Sequence, residues 1–355
     1  MRTILCDMLG MSHPIIQDGM GPFSTAALAA AVSEAGGLGT VSIPGMLLGP
    51  ADAERLMRAE IDRTASLTNR GFAVNVPVGF GPDGEPLPPT AGYLKAVLDA
   101  RRDAATGARL VACITSAGLP PPGLVSSMHD AGLLQLHKVG AVRQARRAVE
   151  AGVDAVIASG FEMGGHTHAR PVHTMVLAPQ VLDSVDVPVV VSGGIYDARG
   201  LAAALAMGAA GVAMGTRFIA TRENDWHPAY KQAIVDAAEW DDVIFPGFYG
   251  PVRGLRNAGS VRLAELVASG ELDDDGLATW KEDRVVAAQR GGDVDGGLVI
   301  AGQCAAAIHG IVGIHDLLAE MVRGASALLA AAGRLTEGGS DRQGHGRGAC
   351  PVAYP

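Results

Sequence analysis

Short apolar runs alternate along the chain with longer amphipathic or alanine-rich segments from about residue 14 to residue 217. The runs have the length and the valine content of strands buried on both faces, and the segments between them show helical spacing. The predicted strands are residues 14–20, 38–43, 71–78, 109–115, 133–139, 155–158, 188–192 and 211–214. Eight strands that alternate with helices predict the α/β class and a (β/α)8 TIM barrel.

Cap residues mark both ends of the first predicted helix. Ser24 precedes a helix that places Leu28 and Val32 on one face, and Gly36-Gly37 ends it. Further helices are predicted at residues 51–65, 93–106 and 141–151, and residues 79–90, with four prolines and three glycines, are predicted to form a loop.

The pattern changes after the eighth strand, and this change sets the predicted domain boundaries. Residues 1–222 are assigned to the barrel, and residues 223–300, which are richer in charge, to a small helical subdomain. Residues 301–332 are again rich in alanine and leucine and are expected to pack as helices on the barrel. Residues 333–355 are rich in glycine and arginine, which predicts a disordered tail.

The sixth strand leads into the most informative stretch, Gly160-Phe-Glu-Met-Gly-Gly-His166. Gly160, Gly164 and Gly165 allow close approach to a flat ligand, and His166 can exchange a proton near neutral pH. A loop at the carboxyl end of a barrel strand lies on the catalytic face, so His166 is the candidate catalytic residue. The loop contains no carboxylate or cysteine from residue 164 to 173, so no metal site is predicted.

The loops after strands seven and eight carry a second signal. Ser192-Gly193-Gly194 precedes a helix capped by Asp197, and Gly215-Thr216 follows strand eight. Backbone N–H groups at these positions in a TIM barrel suit a phosphate, although the same glycines could simply turn the chain.

Composition excludes several classes of partner. The net charge of −9 and the absence of a basic block argue against nucleic acid and anionic membranes. The four cysteines are widely scattered, which fits a reducing compartment, and Asp7 interrupts the only apolar run near the N-terminus. We therefore expect a soluble cytoplasmic protein, and homodimer formation is left open.

Taken together, these motifs resemble the nitronate monooxygenase (2-nitropropane dioxygenase) family of FMN-dependent barrels. The matching segments are residues 14–20, 29–39, 160–166, 192–195, 203–209, 214–218, 227–231 and 301–303. Single segments recur in other phosphate-binding barrels, whereas the ordered set is specific. The related superfamily includes NAD(P)H:quinone reductases and FMN-dependent enoyl-[acyl-carrier-protein] reductases.

The resemblance implies FMN as cofactor. It implies that the phosphate is bound by Ser192, Gly193, Gly194, Gly215 and Thr216, with Met214 beside them. It places the flavin ring against Asp18, Gly19 and Met20, with Asn75, Lys138 and Gln303 near the ring edge. A lysine there would stabilise a reduced, anionic ring, although a lysine at a strand end could also simply reach solvent.

Two enzymatic functions follow from the resemblance. The first is oxidation of alkyl nitronates with O2 through one-electron flavin chemistry. The second is NAD(P)H-dependent reduction of a quinone or an enoyl thioester, and a flavin-binding protein without activity is a third alternative. Ser159, Met163 and the segment from Thr167 to His173 depart from the family pattern, so the substrate and the roles of His168, Arg170 and His173 stay open.

Overall fold

Eight parallel strands close into a barrel in the computed structural model, which describes residues 1–79, 87–247 and 250–337. The strands are β1 (Ile15–Gln17), β2 (Gly39–Val41), β3 (Phe72–Pro77), β4 (Leu110–Ser116), β5 (Leu134–Val139), β6 (Ala155–Ser159), β8 (Val189–Ser192) and β9 (Gly211–Met214). Their order in the sheet is β1-β9-β8-β6-β5-β4-β3-β2. A parallel bridge between Ile16 and Leu38 joins the two edge strands, so the predicted TIM barrel is confirmed.

Helices pack around the barrel, and three of them, at residues 4–9, 122–130 and 174–182, were not predicted from the sequence. The helices are α1 (Ile4–Leu9), α2 (Ala26–Glu34), α3 (Pro50–Leu67), α4 (Pro88–Arg102), α5 (Pro122–Asp130), α6 (Val142–Glu150), α7 (Thr174–Leu182) and α8 (Ala198–Ala206). Helix α4 begins within the predicted loop because Pro88 occupies its first turn, where proline is favoured. Residues 80–86 of that predicted loop lie outside the described residues.

The segment after β9 contains strands as well as helices. Its elements are α9 (Thr216–Ile219), α10 (Pro228–Val235), β10 (Asp242–Pro246), β11 (Pro251–Leu255), α11 (Ala258–Ser269) and α12 (Asp274–Gly291). The prediction of a purely helical subdomain missed the antiparallel pair β10–β11, although Val243-Ile244-Phe245 has high β-propensity. A two-residue strand, β7 (Gly165–His166), pairs with β11, so the hairpin extends over the barrel loop that carries His166.

The last described helix, α13 (Ile314–Glu337), packs against α8 and α2 and takes the position of the eighth barrel helix. The tail was predicted to begin at residue 333, but residues 333–337 belong to α13, and residues 338–355 lie outside the described residues. None of the described helices is long and apolar enough to span a membrane.

Alternation along the strands positions the polar side chains at one end of the barrel. Leu136 and Ile157 belong to the apolar cluster that fills the barrel interior. Because side chains two residues apart on a strand share a face, Lys138 and Ser159 continue the same rows toward the carboxyl end. The apolar interior therefore ends in a polar layer at the mouth of the barrel.

We predict that Gly39→Ala is strongly destabilising. A Cβ atom at Gly39 would lie 1.8 Å from the carbonyl oxygen of Ala29 in α2, so the helix would have to move away from the sheet. Overpacking of this kind should lower the free energy of unfolding by about 2 kcal/mol or more in urea titrations. Gly49→Ala is the control, because its Cβ would meet nothing within 4 Å. Equal unfolding midpoints for the two variants would contradict this packing.

Candidate active site

A cavity of about 580 Å³ opens at the carboxyl ends of the barrel strands, beneath the hairpin and α12. Most of the residues that the sequence singled out line it. They are Asp18, Gly19, Met20, Asn75, Lys138, Gly164, Gly165, His166, Ser192, Gly193, Gly194, Met214, Gly215 and Thr216. The structure therefore brings together residues that lie on six of the barrel strands or in the segments that follow them.

Two predicted site residues do not line this cavity. A Cβ at Gly160 would lie 2.0 Å from the hydroxyl oxygen of Thr174, so this glycine allows the end of β6 to pack on α7. Gln303 instead lines a smaller pocket beside Trp240, and its side-chain amide lies 3.4 Å from Asp242 Oδ2.

The charge of Lys138 is compensated within the protein. Its Nζ atom lies 2.7 Å from Oδ2 of buried Asp18, and the Lys138 side chain is only 13% exposed. Ser192 Oγ donates to the same carboxylate oxygen at 3.2 Å, and the backbone N–H of Gly19 donates to Oδ1 at 3.0 Å. Strands β1, β5 and β8 are thus joined at the floor of the cavity by one buried carboxylate.

The turn after β8 presents backbone donors to the cavity. Gly193 and Gly194 have φ values of +98° and +74°, which glycine adopts readily and other residues rarely. Neither N–H donates a hydrogen bond to another of the described residues. By contrast, the first N–H groups of α8 are already capped by the side chain of Asp197. The glycine pair, rather than the helix end, therefore forms the concave set of donors that suits an anion.

Ser159 adds an unsatisfied polar atom to the same region. Its Oγ is buried, lines the cavity wall and has no hydrogen-bond partner among the described residues. Buried hydroxyl groups nearly always have a hydrogen-bond partner, so a polar ligand atom in the cavity would supply the partner that Ser159 lacks.

His166 lies in β7, and its ring packs close to Gly247 at the end of the hairpin. Burial, followed by the charges of Lys281 and Lys138, lowers the pKa of His166 to about 4. At neutral pH the ring is therefore uncharged, and it can accept a hydrogen bond or a proton in the cavity.

His168 and His173, the other two histidines of this loop, make contacts that hold the loop in place. The His168 ring packs on the backbone of Gly140, where a Cβ would lie 1.7 Å from it, and burial lowers its pKa. His173 Nδ1 lies 3.3 Å from Glu162 Oε1, and the Glu162 carboxylate accepts the backbone N–H of Thr174 at the start of α7. Arg170 is exposed to solvent.

Arg253, which sequence reasoning missed, joins the hairpin to this loop. Its side chain is 2% exposed and forms an ion pair with Asp242. One guanidinium nitrogen donates to the carbonyl oxygen of Phe161 at 2.9 Å, and the guanidinium carbon lies 4.6 Å from the centre of the Phe161 ring. The backbone of Arg253 is also in register with Gly165. One buried cation therefore fixes both ends of the segment between β6 and His166.

One face of α12 forms the roof of the cavity and was also missed. Its residues Ala278, Lys281, Glu282, Val285 and Gln289 line the cavity at helical spacing. Glu282 Oε1 accepts the backbone N–H of Met46 at 2.9 Å, and burial raises the pKa of this carboxyl group. The helical periodicity was visible in the sequence, but nothing in the sequence indicated which element this face would cover.

No group of three or more His, Cys, Asp or Glu side chains in the described part of the chain could hold a metal ion.

Comparisons with known proteins agree with this architecture. Residues 2–324 match the family model described as nitronate monooxygenase. Two similar proteins are named (3aS,4S,5R,7aS)-5-hydroxy-7a-methyl-1-oxo-octahydro-1H-indene-4-carboxyl-CoA dehydrogenase. The one from Rhodococcus jostii is 39% identical over 63% of this chain and 57% of its own length. The one from Mycobacterium tuberculosis is 31% identical over 95% of this chain and 99% of its own length.

Two solved structures are also similar to this chain over most of its length. FabK from Thermotoga maritima is 32% identical, with a TM-score of 0.80 over 94% of this chain and 99% of that one. The nitroalkane oxidase from Streptomyces ansochromogenes is 28% identical, with a TM-score of 0.75 over 94% of this chain and 99% of that one.

We predict that Arg253→Lys loosens the loop that carries His166. Lysine keeps the charge but lacks the planar group that lies over the Phe161 ring. It also cannot reach Asp242 and the carbonyl oxygen of Phe161 through two separate nitrogen atoms, as arginine does. We expect faster amide hydrogen exchange over residues 161–166 and a loss of about 1–3 kcal/mol in the free energy of unfolding. Arg256→Lys is the control, because Arg256 is exposed. Unchanged exchange in the loop would show that Arg253 does not fix it.

Proposed function

The chain belongs to the nitronate monooxygenase family, and from this premise we propose that it is an FMN-dependent oxidoreductase that oxidises alkyl nitronates. The substrate would bind in the cavity as a preformed anion, between the His166 ring and the cofactor. The single observation that carries the proposal is that His166, Lys138 and Lys281 line one cavity at the mouth of the barrel.

The residues present are compatible with FMN. The N–H groups of Gly193 and Gly194 would bind its phosphate, together with Gly215 and Thr216, and Ser159 would donate to a polar atom of the ligand. Gly19 and Met20 would contact the ring, with Lys138 held nearby by Asp18. When bound, the flavin would supply the electron acceptor for substrate oxidation.

The pKa of His166 favours an anionic substrate over its neutral conjugate acid. A general base is most effective when its pKa lies near the working pH, so an imidazole with a pKa of about 4 is a weak base for a neutral nitroalkane at pH 7. The charge of Lys281, which disfavours a protonated ring, also attracts an anion. The nitronate needs no proton removed, and His166 could orient it by a hydrogen bond.

A second candidate function is dehydrogenation of a coenzyme A thioester. It is favoured by the two relatives whose names specify such a dehydrogenase, one of which aligns over nearly its whole length. Removing a proton next to a thioester carbonyl would again require a base, so the low pKa of His166 supports this candidate less well than nitronate oxidation.

We expect the purified protein to bind FMN and to be reduced by a nitronate. The experiment mixes the FMN-loaded protein without oxygen with propyl-1-nitronate, NADH, NADPH or an acyl-CoA and follows the flavin absorbance. Bleaching by the nitronate alone supports the proposal. Bleaching only by the acyl-CoA would establish the second candidate, and bleaching only by NADH or NADPH would identify a reductase. A protein that binds no FMN would contradict the cofactor assignment.

We predict that His166→Ala affects neutral and anionic substrates differently. Turnover of the nitronate should fall by about tenfold, because the orienting hydrogen bond to the anion is lost. Turnover of a neutral nitroalkane, which an imidazole of such low pKa deprotonates poorly even in the wild type, should change less. Because the His166 pKa lies near 4, nitronate turnover by the wild type should show no His166 titration between pH 6 and 9. Exposed His309, replaced by alanine, is the control. Equal losses on both substrates would contradict the proposed role.

A further inference from the structure

Three of the four lysines in the chain have partners within the protein. Lys95 pairs with Glu54 and Asp99, and Lys138 pairs with Asp18. Lys231 donates to the backbone carbonyl of Thr221 at 3.0 Å. Lys281 forms neither a hydrogen bond nor an ion pair with any of the described residues, although it is partly buried.

Lys281 faces the cavity from the roof. It lies on the cavity-lining face of α12, while the barrel residues form the floor. The neighbouring carboxylate of Glu282 is directed to the backbone N–H of Met46, and Asp274 affects the Lys281 pKa without forming an ion pair with it. The ammonium group therefore has no compensating partner within residues 1–79, 87–247 and 250–337.

An unpaired, partly buried ammonium group is costly, and burial lowers the pKa of Lys281 accordingly. A group held in this state beside a cavity would be stabilised by an anion there. The charge of Lys281 also acts on His166, so such an anion would lie in the same part of the cavity as the imidazole. The cavity wall nearby is apolar and includes Phe245, Val252, Leu298 and Ile300.

We propose that Lys281 binds the negatively charged head of the substrate, and that the subdomain, rather than the barrel, supplies this contact. The substrate class is a monoanion with an apolar body, held with its head between Lys281 and His166 and its body against the apolar wall. This inference rests on the proposed function, because it names the residue that would make the same cavity prefer an anionic substrate.

The test measures binding of an unreactive anion and its neutral isostere. Hexanoate and hexanamide are titrated by calorimetry into the FMN-loaded, full-length protein. We expect the wild type to bind hexanoate more tightly than hexanamide. Lys281→Met should weaken hexanoate binding by about tenfold or more and change hexanamide binding by less than about twofold. Lys281→Arg should retain the preference, and Lys95→Met, which removes a surface lysine paired outside the cavity, should behave as the wild type.

Either of two results would overturn the inference: a wild type that does not prefer hexanoate, or a Lys281→Met variant that keeps the preference or loses both ligands equally. Thermal unfolding of each variant shows whether a lost preference reflects lost structure. The binding measurement does not depend on turnover. A Lys281-dependent preference in a protein that does not oxidise nitronates would therefore support this inference while refuting the proposed function.

Discussion

The buried guanidinium group of Arg253 is the contact on which the geometry of the site depends. A barrel strand ends in a loop, and a loop alone would hold a histidine only loosely. Here the hairpin pairs with Gly165 and His166, and Arg253 holds Phe161 through its ring and its carbonyl oxygen. A fully buried arginine is costly unless its charge is paired, and Asp242 supplies that pairing from the other strand of the hairpin. The loop geometry and the position of the subdomain are thus fixed by the same side chain.

The two lysines at the cavity differ in a way that separates their roles. Lys138 and Asp18 form a buried pair, so this part of the floor is close to neutral and is held rigidly by three strands. Lys281 has no carboxylate partner in the described chain, so its charge is available to a ligand. Lysine content alone does not reveal this difference. It follows from which carboxylates the fold brings near each ammonium group.

Much of the fold and part of the site could be predicted from sequence because they depend on local pattern. Strand and helix periodicity predicted the barrel, and the family resemblance singled out Asn75 and Lys138, both of which line the cavity. The hairpin was missed because its pairing with β7 joins residues that lie far apart in sequence. Arg253 and Lys281 were missed for a related reason, since their importance comes from burial and from partners that no local pattern specifies. Gln303 shows the converse, because its motif is present but its side chain points to Asp242.

Several residues of the motifs that identify the family build the scaffold rather than the cavity. Arg217 donates to the carbonyl oxygens of Ala220 and Gly310, and Lys231 to that of Thr221. Such residues would be needed whatever the substrate, which is consistent with the similarity of this chain both to a nitroalkane oxidase and to a carboxyl-CoA dehydrogenase. The cavity is also lined by elements outside these motifs, the cavity face of α12 and the hairpin. We therefore expect relatives that differ in activity to differ at roof positions such as Lys281 and Glu282, which belong to none of the family motifs but line the cavity.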